Sequence, residues 1–293
     1  ADEAPQRVVV RTSQLHFDQS TGVATTDAAV RFTFPQGEGS SRGARYDPQQ
    51  QTLRLNSNVE FRLKDADAPQ AAPTVIHAGE LLYLREESRI ALDGTVEIEK
   101  QARRLRSRAA SVWLNDQNQA QRAELTGDVR AEQRPVASGA AATAASAAAG
   151  RALLEFGEGG AIRTVSLLEN VRWQTADSGG AGASRAARRQ EPQREGSSQR
   201  MLLNFTPTAG EGAVLERATA EENVKITLRS QGAPAAAQGR PASAAGAGQR
   251  QMLSGQVAEM FFAPGGRVLR DARLRGEAKA EPKIEMFADN GTP

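Results

Sequence analysis

Two histidines, two pairs of adjacent acids and a large stock of arginine are the side chains of this sequence with chemistry to offer. His16 and His77 lie far apart, and neither falls in a metal-ligand spacing such as H-x-x-x-H. His16 reads as a surface histidine on the wet face of a strand. His77 follows Val75-Ile76 at a strand start, with no further role visible. Glu86-Glu87 and Glu221-Glu222 are paired in sequence, but neighbours on a strand point to opposite faces and make poor partners for two-carboxylate catalysis. No phosphate-cradling G-x-x-x-x-G-K-[ST] loop is present. The chain has no cysteine, which excludes disulfides and thiolate metal sites. These residues predict no enzyme, no metal and no cofactor.

The arginines offer a different chemistry. Lys+Arg 37 against Asp+Glu 35 leaves +2, a balance that demands no nucleic-acid partner. Most of the basic residues are arginine, in keeping with the prominence of alanine and glycine, but a planar guanidinium also suits phosphate. Arg103, Arg104, Arg106 and Arg108 form a run that could meet phosphates at a rim, or simply a solvated charged face. A nucleic-acid site would need aromatics interleaved with its basic stripe, and few lie near 103–108 or 185–194.

The elements that must position these groups announce themselves as a repeat. An apolar-x-apolar triplet recurs seven times, at Leu15-His16-Phe17, Ala44-Arg45-Tyr46, Leu82-Tyr83-Leu84, Val112-Trp113-Leu114, Leu154-Glu155-Phe156, Leu203-Asn204-Phe205 and Met260-Phe261-Phe262. Each copy closes on a short polar or small pair followed by a valine (Val30, Val59, Val96, Val129, Val171, Val224), with Ala278 at the last. Apolar residues alternate with period two around these points, as in Val30/Phe32/Phe34 and Val59/Phe61/Leu63, which is the strand signal. One wet and one dry face, repeated, reads as antiparallel all-β structure. Repeats of this size stack into arrays that offer extended surfaces or grooves. Units apolar on one face must bury it, and two facing sheets about 10 Å apart do so, with triplets and closing valines between them.

Between the units lie segments rich in Ala, Gly, Ser, Pro, Gln and Arg, at 35–43, 65–74, 134–150, 176–199 and 230–250, which read as loops. No run of about 18 apolar residues exists to form a spanning helix. The start at Ala1-Asp2-Glu3 suits a chain cleaved after a small residue, or a trimmed one.

The stretch from Val9 to Leu63, VVRTSQLHFDQSTGVATTDAAVRFTF followed by GARYDPQQQTLRLNSNVEFRL, resembles the periplasmic domain of LptC-type lipopolysaccharide-transport proteins. The next, AGELLYLREESRIALDGTVEIEK and LRSRAASVWLNDQNQAQRAELTGDV, is similar to the LptA/OstA-like repeat, with its apolar-x-apolar-x-Gly-x-Val ending. The resemblance covers residues 8–132 and extends more thinly over 151–175, 200–229 and 251–287, where Glu169 and Glu222 replace the glycine. A typical LptC carries an N-terminal membrane anchor, and a typical LptA is shorter, without the Ala/Gly-rich insertions; neither pattern is matched here.

The resemblance implies a twisted open β-jellyroll, elongated, with flexible residues 1–7, LptC-like units at 8–64, LptA/OstA-like units at 75–132 and a divergent continuation over 151–287. It also implies a periplasmic carrier of lipopolysaccharide or a related lipid, stacked end to end with other jellyroll proteins between an inner-membrane transporter and an outer-membrane translocon. The groove would be lined by Leu15, Phe17, Val30, Phe32, Tyr46, Leu55, Val59, Phe61, Leu84, Leu92, Val96, Ile98, Leu114, Leu125 and Val129, with Arg103, Arg104, Arg106 and Arg108 toward lipid phosphates. The alternative is a structural repeat scaffold that assembles through its sheet edges and carries no lipid.

Overall fold

The computed structural model describes residues 8–64, 72–134, 142–157, 160–178, 193–208, 212–230, 249–263, 269–276 and 283–288. Strands make up nearly all of it, and the fold is all-β, as the period-two alternation predicts. Among the described residues no helix is long and apolar enough to cross a membrane. The chain divides into two compact units, one built mainly from residues 1–130 with 151–165, the other mainly from 166–206 and 214–293.

In the first unit, β1 (Val9–Thr12) and β2 (His16–Phe17) precede three long strands, β3 (Ala24–Phe34), β4 (Gly37–Asp47) and β5 (Thr52–Leu63). Shorter strands follow: β6 (Thr74–Ala78), β7 (Glu80–Leu84), β8 (Arg89–Asp93), β9 (Val96–Lys100), β10 (Arg103–Ser107) and β11 (Ala109–Leu114), then the long β12 (Ala120–Gln133). Among the described residues the pairings of these strands are antiparallel. The long strands serve two sheets at once: the end of β5 pairs with β6, its beginning with β7. Strands β1, β3, β4, β5, β6, β9 and β10 make one ladder. Strands β2, β3, β4, β5, β7, β8, β11 and β12 make the other.

What turns a strand from one sheet into the next is a corner, and the sequence marks it. The residue before each of five closing valines has a left-handed backbone: Asn58, Thr95, Asp128, Asn170 and Asn223, with φ between 50° and 63°. In four of the five the residue before that is left-handed too, as Gly94, Gly127, Glu169 and Glu222. A left-handed residue inside a pairing is a bulge, and bulges bend strands. At Asn58 the strand bends without breaking, and β5 continues to Leu63. Elsewhere the corner breaks the strand, at Gly79 between β6 and β7 and at Gly94-Thr95 between β8 and β9. Gly79 donates its N–H to Asp93 O at 2.8 Å, and a Cβ there would lie 2.9 Å from that oxygen, so the crossing strands touch at the bend.

The second unit repeats the device. Strands β13 (Ala142–Phe156) and β14 (Ile162–Ser178) each have residues in both units, and β15 (Gln193–Thr208), β16 (Gly212–Ser230), β17 (Gln249–Phe262), β18 (Leu269–Arg275) and β19 (Lys283–Ala288) follow. β17 divides its partners as β5 does, pairing over Val257–Phe262 with β18 and over Gln249–Ser254 with β19.

Composition misjudged several loops. Gly37–Gly43, inside the segment expected as loop at 35–43, belongs to β4, and Ala142–Gly150, expected as loop within 134–150, begins β13. Small side chains do not prevent pairing, because the ladder is made by backbone groups and the large neighbours supply the burial. Phe32 covers Gly39 so closely that a Cβ there would stand 2.1 Å from its ring, and Trp173 covers Gly196 in the same way. Residues 176–178, 193–199 and 249–250 are likewise strand; the remainder of those two segments, residues 1–7 and Ala278 lie outside the described residues.

Candidate functional site

The corner residues are among the most buried in each unit. Val30, Val59, Val96, Val129, Val171 and Val224 are all 2% exposed or less, and Leu55, Leu92 and Leu125 lie beside them, also buried. Burying such a side chain stabilises the fold by about 1.5–3 kcal/mol. The closing valine is thus the anchor of each repeat.

Away from the corner, the register defines two apolar walls. Directly opposed residues share a face. Across the first sheet one rung reads Val10, Phe32, Gly39, Phe61, Ile76, Ile98, Leu105. Phe32 and Phe61 pack with ring centroids 5.2 Å apart, and Phe34 lies 6.4 Å from Phe61. Across the second sheet the outermost rung reads Phe17, Ala24, Tyr46, Leu53, Tyr83, Ile90, Val112, Ala123. These walls are apolar but not closed. Phe32, Phe61, Ile98, Leu53, Ile90, Val112 and Leu114 are half-buried, while Phe17 is 56% and Tyr46 47% exposed.

The residues expected in a shared interior thus divide. Val30, Leu55, Val59, Leu92, Val96, Leu125 and Val129 are buried at the corner, and Phe32, Phe61, Ile98 and Leu114 stand on the walls. Leu15, Phe17 and Tyr46 are surface-exposed; β2, which carries Phe17, is two residues long and has β3 as its paired strand. Leu84 is displaced for another reason. It pairs with Thr52 and Arg89, on the face that carries Arg54, so in this copy Leu81 and Tyr83 are the inward residues. The run Leu81-Leu82-Tyr83-Leu84 is apolar throughout and hides its own phase. Ile76 and Leu105 also belong to the wall; only cross-strand register reveals them.

The opposite face is charged and internally paired. Glu97 accepts hydrogen bonds from Arg104 Nε at 2.6 Å and Arg106 Nε at 2.8 Å. Burial pushes its carboxyl up, but the Arg106 and Arg104 hydrogen bonds outweigh that and hold it below the usual range. Arg104 also reaches Glu99 at 3.1 Å, and Arg108 pairs with Asp128 across the corner. Three of the four arginines considered for phosphate are thus already bound to carboxylates, while Arg103 stands exposed at the start of β10. His16 is exposed on this outer face, and His77 lies opposite Glu60 with Nδ1 4.0 Å from its carboxylate. Among the described residues no cluster of His, Cys, Asp or Glu is placed to hold a metal.

Against this geometry, residues 1–64 match a family model described as lipopolysaccharide-assembly, LptC-related. The matched segment takes in β1 to β5 and the first two buried corner valines. No curated protein matches the chain. The solved structures that match include the crystal structure of LptH from Pseudomonas aeruginosa, described as the LptA homologous periplasmic component of the conserved lipopolysaccharide transport device. It is 14% identical, with a TM-score of 0.32, and the match covers 36% of this chain and 76% of that one.

Proposed function

We propose that this protein is a periplasmic, non-catalytic carrier that holds the acyl chains of lipopolysaccharide, or of a similar amphipathic lipid, along the apolar face of its sheets. The observation that carries the reading is the gradient of burial on that face. Side chains at the corner are sealed, yet the apolar rungs on both walls stay accessible, with Val10, Phe17 and Tyr46 the most open. In a closed sandwich the facing sheet would cover those rungs to core density. Each acyl methylene removed from water is worth about 0.8 kcal/mol, so a row of similar apolar rungs offers many sites of near-equal energy along which a lipid can move. Charged groups on the outer face keep the other side wet. Partner jellyroll proteins would add to the β1/β2 border, where Val8, Val10, Leu15 and Phe17 are exposed and β3 is the paired strand. Through them the chain would connect an inner-membrane transporter to an outer-membrane translocon.

The alternative, a scaffold assembling through that same border without lipid, differs in one measurable respect. A photo-crosslinking residue at Phe61 or Leu114, on the apolar walls, should capture lipopolysaccharide, whereas one at Arg54 on the outer face should not. Absence of capture at both wall positions, alongside capture by a known lipopolysaccharide carrier, would leave the scaffold.

A further inference from the structure

On the outer face of the second sheet, at the end where β2 and β4 finish, two turns meet around a cleft of about 310 Å³. Its floor is the rung His16, Thr25, Arg45, on the opposite face from Phe17 and Tyr46. Asp18 and Asp47 flank it, and both carboxylates are fixed by their own turns. Asp18 Oδ1 accepts from Ser20 N at 2.9 Å and Ser20 Oγ at 2.7 Å; Asp47 Oδ1 accepts from Gln49 N and Gln50 N, each at 3.1 Å. The turns also brace each other. Gly22 is left-handed at φ +74°, and a Cβ there would stand 3.0 Å from Pro48. The hydrogen bonds from Ser20, and then Thr21, hold the Asp18 carboxyl down at about 2, so it is ionised at any physiological pH. Asp47 Oδ2 stands 3.5 Å from Arg45, whose side chain is 53% exposed and able to turn toward a ligand.

The cleft therefore offers two preset acceptors beside three donors, Arg45, His16 and the Gln49 amide, with the Thr25 hydroxyl able to act as either. Two carboxylates against one guanidinium leave it negative, which disfavours phosphate and carboxylate and favours hydroxyls or an ammonium. Its volume is at the lower end of the range for small-ligand pockets. We propose that this cleft binds a single saccharide ring, neutral or amino-substituted. The site stands independently of the lipid reading, since it lies on the other face of the sheet.

Such a ring could be a free sugar or the sugar headgroup of a lipid, and titration of the full chain separates them. Methyl glucoside, glucosamine, glucose 1-phosphate and octyl glucoside below its micelle concentration serve as probes, with the His16 and Arg45 side-chain proton signals as readout. Methyl glucoside or glucosamine should give saturable shifts in the millimolar range, and Arg45→Ala and Thr25→Val should each weaken them about tenfold or more, with melting temperatures unchanged. Glucose 1-phosphate should bind more weakly than its neutral counterpart. Equal affinity for methyl and octyl glucoside marks a free-sugar site, and tighter octyl glucoside binding with added shifts at Phe17 and Tyr46 marks a lipid headgroup. No saturable shift with any probe, shifts that survive both substitutions, or tightest binding of the phosphosugar would overturn the proposal.

Discussion

Val96 is 1% exposed and follows Gly94-Thr95, both left-handed. That combination explains why the repeat closes as it does. The left-handed pair bends the backbone through the corner, and a β-branched side chain immediately after it seals the inside of the bend. Truncating it leaves a cavity that rigid neighbouring strands cannot close, so Val96→Ala should cost about 2–3 kcal/mol in chemical denaturation. The second unit bends with less suitable residues, Glu169-Asn170 and Glu222-Asn223. A left-handed non-glycine residue costs on the order of 1 kcal/mol, so Glu222→Gly should stabilise by about 0.5–1 kcal/mol, net of an exposed pairing with Arg200 at 3.4 Å that is worth little. A loss of stability there would mean that the Arg200 pairing matters more than the backbone. Acid should act on Asp18 with a definite sign. Its folded pKa is depressed from 3.8 to about 2, so its contribution is present above 3.8 and disappears as pH falls through about 2. The melting temperatures of native protein and Asp18→Asn should differ at pH 5 and converge near pH 2.

At the level of strands, alternation alone was enough to place the faces of β3, β5 and β12. Their buried residues keep one parity in spite of the corners. It failed in β7, where four consecutive apolar residues carry no phase, and in β4, where glycine and serine on the inward face look like a loop. The glycines of β4 are legible only with its neighbours in place. Phe32 of β3 leans across Gly39 toward Phe61 of β5, so the wall there is made by residues two strands apart. Gly39→Val should therefore destabilise by about 1–3 kcal/mol, because the added Cβ meets both the Phe32 ring and, at 2.9 Å, Glu60 O. Combining it with Phe32→Ala should restore only part of the loss, since the ring clash is relieved and the backbone clash is not. Full additivity of the two substitutions would show that Phe32 does not occupy that space in solution.

For the whole chain, the family match and the sheet disagree about where a module ends, and the physical chemistry favours the sheet. The LptC-related match stops at residue 64, one position past the end of β5. Yet β5 is no border strand: its two halves hydrogen-bond to β6 and β7 over nine opposed residue pairs. Cutting there would strip partners from a twelve-residue strand and uncover Leu55 and Val59, each 2% exposed in the intact protein. An unpaired edge of that length with apolar side chains beside it invites association rather than folding. A chain ended after Lys64 should therefore aggregate or lose its cooperative thermal transition, while the full chain melts cooperatively under the same conditions. A soluble 1–64 fragment with a sharp transition would make the matched segment an autonomous domain. The expected failure would instead make it the first courses of a wall that the rest of the first unit must complete.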